Sequence, residues 1–204
     1  MLLKSAAWYH CDCNNCETKR AEQNEAGAEQ ARFRSLSMPA VMQQTRYFTY
    51  LWTNDSWRRK AALAREGYWN LDYAASNRFR SAGVENGSVV FIVTVLEGSL
   101  YLGGSIQVAG VFDRKGAADF LGISADGLRM AKEYIVAKPG TEFVFRADLK
   151  VEDRIAHRLR FCNKRGGFVY PRLDASGKID RQTFRNARPL YPGAEQALLQ
   201  LLGD

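Results

Sequence analysis

The hydrophobic pattern is weak over the first 44 residues and becomes clear from residue 47 onward. Residues 47–53 are dense in aromatic and β-branched side chains, which predicts a strand. Residues 54–56 predict a turn or a helix N-cap, and residues 57–66 then follow a helical pattern. Residues 88–96 form the strongest β signal, an apolar run typical of a strand that is buried on both faces.

The remainder of the chain predicts further short elements. Residues 97–99 predict a hairpin turn, and residues 100–112 return as a strand in which Gly103, Gly104 and Gly110 indicate bulges or bends. A small closed barrel needs strands that bend in this way. Further helices are predicted at 115–121, 125–134, 181–188 and 194–202, and further strands at 143–145 and 158–162. The tally predicts an α+β fold, a small mixed β-barrel with short peripheral helices.

The first 44 residues differ in composition from the remainder. They hold three of the four cysteines and a polar stretch rich in Glu, Gln and Ala, with no sustained strand pattern. We therefore expect a flexible extension at 1–44 and one domain at 45–204. Within the extension, His10, Cys11, Cys13 and Cys16 are ligands that zinc accepts, but the usual second half of a zinc motif is missing. Reduced cysteines are the favoured interpretation, zinc stays open as the alternative, and no cofactor is expected.

Composition and charge narrow the classes of function. The 204 residues are 46% hydrophobic and 25% charged, as in soluble domains, and no apolar run approaches a membrane span of about 18 residues. With no secretory signal visible, we expect a cytoplasmic protein. The net charge of +7 is concentrated in residues 46–80 (+4) and 141–190 (+6). These segments are either solvated basic surface or two parts of one phosphate-binding face.

Aromatic side chains are crowded between residues 52 and 79 and alternate with polar and basic ones. Stacking on an aromatic ring contributes roughly 1–3 kcal/mol per base, and neighbouring cations add phosphate contacts. A flipped base needs aromatic walls and polar groups for its edge, so this segment predicts a base-sized pocket. The alternative is that some of the rings belong to the core. The aromatic residues of the segment are Trp52, Trp57, Tyr68, Trp69, Tyr73 and Phe79.

Catalytic motifs are not evident. The chain has only two histidines, His10 and His157, and His157 stands among arginines, which is typical of a basic surface. No nucleophile elbow, zinc-protease helix, Walker loop or nuclease pattern occurs. No catalytic residue is predicted, and the sequence favours binding over catalysis.

The order of these features resembles the PUA-like superfamily, in particular its EVE and YTH-type branches. The matching features are an aromatic strand that ends at Trp52, then Trp57, an irregular aromatic loop, and a basic loop that reaches Gly87 before the apolar strand. The Asp that follows this glycine in the family is replaced here by Ser88. The tail at 182–190 looks like the end of bacterial stand-alone members.

The resemblance implies a non-catalytic pseudo-barrel that binds DNA or RNA and holds a modified base, such as a methylated cytosine or adenine, in an aromatic cage. It implies Trp52, Trp57 and Trp69 as walls, with Tyr73 in the same pocket, and Ser76 and Asn77 as readers of the base edge. The implied phosphate contacts are Arg78, Arg80, Arg158, Arg160, Arg185 and Arg188.

Two alternatives stay open. A hydrolase of the ASCH type on the same barrel would need a lysine and an acid in one pocket, for example Lys60 with Glu66 or Lys132 with Glu133. A protein-interaction module would use the C-terminal helix. Its docking side chains would be Leu198, Leu199, Leu201 and Leu202.

Overall fold

The structure, a computed structural model, describes residues 45–67 and 69–203. The predictions made for residues 1–44, including the candidate ligands His10, Cys11, Cys13 and Cys16, lie outside the described residues. No helix within the described ranges is long and apolar enough to cross a membrane.

Eight strands in the described residues form two sheets. They are β1 (Tyr47–Leu51), β2 (Tyr73–Ser76), β3 (Val89–Leu96), β4 (Ser99–Phe112), β5 (Glu133–Ala137), β6 (Phe161–Cys162), β7 (Phe168–Val169) and β8 (Ala187–Pro189). The larger sheet has the order β2-β5-β4-β3-β1-β8, and the smaller one pairs β6 with β7. Neighbouring strands are antiparallel, except that β1 and β3 are parallel.

Short helices lie between these strands. They are α1 (Asn54–Glu66), α2 (Phe79–Ala82), α3 (Arg114–Leu121), α4 (Asp153–Ala156) and α5 (Gln196–Leu202), with 3₁₀ turns at Ala125–Gly127 and Arg181–Phe184. The predicted helix at 57–66 is confirmed but begins earlier, because Thr53 is its N-cap and accepts a hydrogen bond from the Ser56 amide. The α+β class is confirmed.

The strand β3 is buried on both faces, as its apolar run predicts. Val90 and Ile92 belong to one core cluster, while Phe91, Val93 and Val95 belong to another. The two-residue turn that follows, with Glu97 and Gly98 both at positive φ, joins β3 to β4 as a tight hairpin. The sheet therefore has a core on each side.

Two irregularities bend β4 and curl the sheet. The β3–β4 register shifts beside Gly104 and the β4–β5 register shifts beside Gly110, as the glycines predict. A Cβ at Gly104 would lie 2.6 Å from Leu71 Cδ1, so the close approach of that layer requires glycine. Three strands separate β1 from β2 in the sheet, yet Tyr50 Oη on β1 donates a hydrogen bond to the Ala75 carbonyl on β2 at 2.6 Å. The six strands thus form a curled half-barrel.

The predicted helix at 125–134 is wrong. Only Ala125–Gly127 is a 3₁₀ turn, and the chain enters β5 at Glu133. Residues 134–137 are buried on both faces of the sheet, and this burial favours a strand although the run is short and flanked by helix-forming residues.

Three other predictions differ in extent. The strand predicted at 143–145 forms only an isolated bridge between Val144 and Asn70, and that at 158–162 is reduced to β6. The helix predicted at 181–188 is a 3₁₀ turn followed by β8. The strand β2 lies in a segment that the sequence predicts to be irregular.

Candidate nucleic-acid interface

An open cleft of about 790 Å³ lies between α1 and β2. Trp57, Ala61 and Ala64 pack one side of α1 on the core, and the adjacent stripe of the helix faces the cleft. The lining residues are Trp52, Thr53, Asp55, Ser56, Arg59, Lys60, Leu63, Tyr73, Ala74, Ala75, Gly127, Leu128 and Arg129.

A smaller cleft of about 280 Å³ adjoins the first and shares Trp52, Thr53, Ala75 and Arg129 with it. We call the two together the central cleft. The smaller part is lined in addition by Tyr50, Leu51, Ser76, Asn77, Arg78, Met130, Ala131, Arg185 and Asn186. The central cleft therefore opens where the curled sheet brings β1 and β2 together.

The charge of the central cleft is strongly positive. Its linings include five basic side chains but only one carboxylate, Asp55. The basic residues are Arg59, Lys60, Arg78, Arg129 and Arg185. None of these five takes part in an ion pair within the described part of the chain. Unneutralised cations around a concave surface focus positive potential, which attracts an anionic ligand.

The predicted tryptophan walls meet in one aromatic cluster. In the cluster of Trp52, Trp57, Trp69 and Phe145, five of the six ring pairs have centroids between 4.9 and 6.3 Å apart. Trp52 is the member of this cluster that borders the central cleft, with 9% of its surface exposed. Trp69 lies behind Trp52 and is partly buried.

Trp57 is a core residue. It is 2% exposed, and its indole Nε1 donates to the Ala147 carbonyl at 3.3 Å. Its ring borders a different cleft, on the side of α1 that carries Arg58. For Trp57 the structure favours the core interpretation, so the aromatic groups that directly border the central cleft are Trp52, Tyr73 and Tyr50.

Lys60 lines the central cleft, and its amine lies over the ring of Trp69. Its Nζ is 3.8 Å from the centroid of Trp69 and 6.0 Å from that of Tyr73. Burial lowers the pKa of Lys60, the Arg59 guanidinium lowers it further, and the Asp72 carboxylate opposes both. Burial also raises the pKa of Asp72 and of Tyr73. The ammonium is thus held in a partly dehydrated position.

The predicted edge readers lie together at the end of β2. Ser76 Oγ accepts a hydrogen bond from the Arg78 amide at 3.3 Å, and Asn77 Oδ1 accepts one from the Lys132 amide at 2.9 Å. The Asn77 side chain is exposed, so the outward end of its carboxamide can meet a ligand.

The six predicted phosphate contacts do not lie on one surface. Arg78 and Arg185 line the central cleft. The guanidinium of Arg80 donates to the Val111 carbonyl instead. Arg188 lies with its Cζ 4.4 Å from the Phe161 centroid, and burial lowers its pKa. Of these six residues, only Arg78 and Arg185 bring the two positively charged segments, 46–80 and 141–190, together on one surface.

Arg158 and Arg160 line a separate cleft of about 530 Å³ together with His157 and Tyr170. This second basic surface lies beside the β6–β7 hairpin, and its aromatic residues were not among the predicted site residues. The signal in the sequence was the alternation of basic and aromatic residues between 158 and 170.

The role of Arg129 was also missed, since the segment around it was predicted to be helical. Its guanidinium Nη1 lies 3.4 Å from Ser56 Oγ and closes the central cleft opposite α1. Arg59 belonged to the predicted aromatic and basic segment, but only the observed helix shows that it faces the cleft while Arg58 does not.

Neither alternative is supported by the residues that the sequence suggested for it. None of the ion pairs between described residues involves a lysine, so neither the pair Lys60–Glu66 nor the pair Lys132–Glu133 is formed. The C-terminal helix packs on its own domain: Leu198 and Leu202 are core residues, and Leu199 and Leu201 are partly buried against that core. These leucines are therefore not a free docking face.

Comparisons with known proteins identify no family for this chain. No protein-family model and no curated protein matches the chain. Among solved structures, the chain is similar to the YTH domain of the MRB1 protein of Zygosaccharomyces rouxii, crystallised with N6-methyladenosine RNA. The two are 10% identical, the match covers 81% of this chain and 89% of that one, and the TM-score is 0.43.

Proposed function

We propose that this chain binds nucleic acid and holds one base, modified or flipped out of its stack, in the central cleft. The observation that carries the proposal is the composition of that cleft, in which Trp52 and Tyr73 border a depression with five basic side chains and one carboxylate. Aromatic faces bind bases by stacking, and cations bind the phosphates on either side.

The dimensions support this use. The volume of about 790 Å³ lies within the range of roughly 300–1,000 Å³ that is usual for small-molecule pockets. We assign stacking to Tyr73 and Trp52, contact with the edge of the base to Ser76 and Asn77, and phosphate contacts to Arg59, Lys60, Arg78, Arg129 and Arg185.

The proposal also assigns residues 45–204 to one domain of the PUA-like superfamily, of the EVE or YTH kind. The support is the resemblance of the sequence, together with the curled six-stranded sheet.

Fluorescence anisotropy with labelled single-stranded oligonucleotides tests the proposal. The set contains RNA and DNA, each plain or with one N6-methyladenine or 5-methylcytosine, titrated at several salt concentrations. We expect salt-dependent binding that is tighter for one modified base. Absence of binding at low salt to every oligonucleotide of the set overturns the proposal.

Two neighbouring arginines provide a matched pair of variants. Both are exposed on α1, but Arg59 lines the central cleft and Arg58 does not. We expect Arg59→Ala to weaken binding of plain and modified strands alike and to reduce the slope of log K against log salt by about 0.7, the value for one phosphate contact on a single strand. Arg58→Ala should leave the slope unchanged. Equal losses in the two variants would contradict the assignment of the cleft.

A further inference from the structure

The β6–β7 hairpin carries exposed aromatic side chains on a domain whose other large rings are mostly buried. Phe168 is 40% exposed and Tyr170 is 53% exposed. The rings of Phe168 and Tyr170 lie 5.3 Å apart, and Phe168 lies 5.2 Å from Tyr191. We call these three rings the hairpin surface.

An arginine is fixed among these rings. Arg160 Cζ lies 5.5 Å from the centroid of Phe168 and 5.3 Å from that of Tyr191, and Nη2 lies 3.5 Å from the Pro192 carbonyl oxygen. A guanidinium held on aromatic faces keeps its charge and its planar donors for a ligand. The hairpin surface therefore combines stacking faces with a positioned cation.

The turn of the hairpin is ordered by its own hydrogen bonds. Asn163 Oδ1 accepts from the Arg165 amide at 2.8 Å and from the Gly167 amide at 3.0 Å. Because the turn is closed by these bonds, Phe168 and Tyr170 are presented from a defined backbone rather than from a free loop. A preorganised surface loses less conformational entropy when a ligand binds.

The chain segment that carries the hairpin has charges of one sign. Residues 155–173 contain five basic residues and no acidic one. The nearest acidic residue that follows, Asp174, is engaged by its own loop, since its Oδ1 accepts from the Ser176 amide at 2.8 Å and the Lys178 amide at 2.9 Å. Arg158 and Arg160 form no ion pair within the described residues. Exposed rings inside an all-basic segment complement a polyanion that has flat bases.

We propose that the hairpin surface is a second binding site, which stacks unpaired nucleotides of the same strand whose base occupies the central cleft. This inference rests on the proposed function. It adds a site that reads no particular base, since every base offers a face for stacking.

The backbone connects the two surfaces over a short distance. Asn186 lines the central cleft, β8 follows at once, and Tyr191 is part of the hairpin surface. Five residue steps of extended chain span at most about 18 Å. The hairpin is attached to this segment, because Phe161 bridges Leu190 and the Tyr191 amide donates to the Arg160 carbonyl at 2.8 Å. A single strand of several nucleotides can therefore reach both surfaces.

The test compares labelled oligoadenylates of about 5 and about 15 nucleotides, lengths near the lower and upper ends of the site sizes of single-strand binders. The full chain is used, with the double variant Phe168→Ala/Tyr170→Ala and, as a milder change, Tyr170→Ser alone. We expect the double variant to bind the long strand about tenfold more weakly than the unmodified chain, corresponding to the loss of about one stacked base. Affinity for the short strand should stay unchanged.

The control is Phe120→Ala, which removes an exposed ring on α3 that belongs to neither surface and should alter neither affinity. If the double variant and Tyr170→Ser bind the long strand as the unmodified chain does, the inference is wrong, while the proposed function stands on the short strand and Arg59→Ala. If no oligoadenylate of either length binds, the inference is wrong, whereas the proposed function is overturned only if every plain and modified oligonucleotide of the set above also fails to bind. If the double variant instead abolishes self-association and leaves the long-strand affinity unchanged, the surface is a contact between copies of the chain and the inference is overturned.

Discussion

The central cleft and the hairpin surface use the same kinds of residue in opposite settings. In the cleft, Trp52 is 9% exposed and shares a cluster with other rings, so a base can meet it only from one side and at a defined depth. On the hairpin, Tyr170 is 53% exposed and can be approached from many directions. The comparison teaches that exposure, more than composition, separates a site that can discriminate bases from one that can only stack them.

Sheet geometry produces the difference. The bends of β4 curl six strands until Tyr50 on β1 reaches Ala75 on β2, and the cleft lies at this closure with α1 as its outer wall. The hairpin has only two short strands, and residues 168–170 remain exposed. The recessed aromatic residues of the cleft therefore depend on the whole curled sheet, whereas the exposed ones of the hairpin depend only on a local turn.

The largest expected effect is on the free energy of unfolding, which should depend strongly on the aromatic cluster behind the cleft and little on the hairpin surface. Trp57→Ala removes a ring that is 2% exposed and packed against Phe145 at 4.9 Å, so we expect the free energy of unfolding to fall by about 3–5 kcal/mol. Tyr170→Ala should change it by no more than about 0.5 kcal/mol. Chemical denaturation followed by tryptophan fluorescence measures both. Similar losses of unfolding free energy in the two variants would contradict this difference between the buried aromatic cluster and the exposed hairpin surface.

A smaller effect concerns pH and belongs to the cleft alone. Burial lowers the pKa of Lys60 below its ordinary 10.5, so the amine loses its proton and its charge at a pH where an exposed lysine keeps both. We expect affinity for an oligoadenylate, whose bases do not titrate at alkaline pH, to fall roughly two- to fivefold as the pH rises from neutral towards that value.

The matched control is Lys60→Arg, because a guanidinium stays charged throughout this range. Its affinity should be nearly constant with pH, whereas Phe168→Ala/Tyr170→Ala should retain the pH dependence of the unmodified chain. Equal pH dependence in Lys60→Arg and the unmodified chain would show that Lys60 does not contact the ligand.

Much of the fold was predictable because its signals are local. The buried run of β3, the positive-φ turn at Glu97 and Gly98 and the bends at the glycines of β4 each depend on a few neighbouring residues. The strands β2 and β5 were not predicted, because both are short and depend on pairing with strands that are distant in sequence, β2 with β5 and β5 also with β4. Tertiary context decided these elements against local propensity.

The site was predictable only in part for a related reason. Trp52, Tyr73, Ser76 and Asn77 come from one continuous segment that already showed alternating aromatic and polar residues. Arg129 reaches the cleft from a turn that is distant in sequence, and no pattern near it indicates that position. Trp57 lies on the side of α1 that packs on the core, whereas Trp52, five residues earlier and outside the helix, borders the cleft.

The most direct test of the central cleft as a base-reading site is the ratio of dissociation constants for a plain strand and its modified counterpart, measured in three variants by anisotropy. We expect Tyr73→Ala to lower this ratio about tenfold, because the added group of a modified base then loses its contact with the ring, and Tyr73→Phe to preserve it. Tyr170→Ala should weaken both strands equally and leave the ratio unchanged. A ratio of one in the unmodified chain for every modification, or an unchanged ratio in Tyr73→Ala, would contradict the assignment.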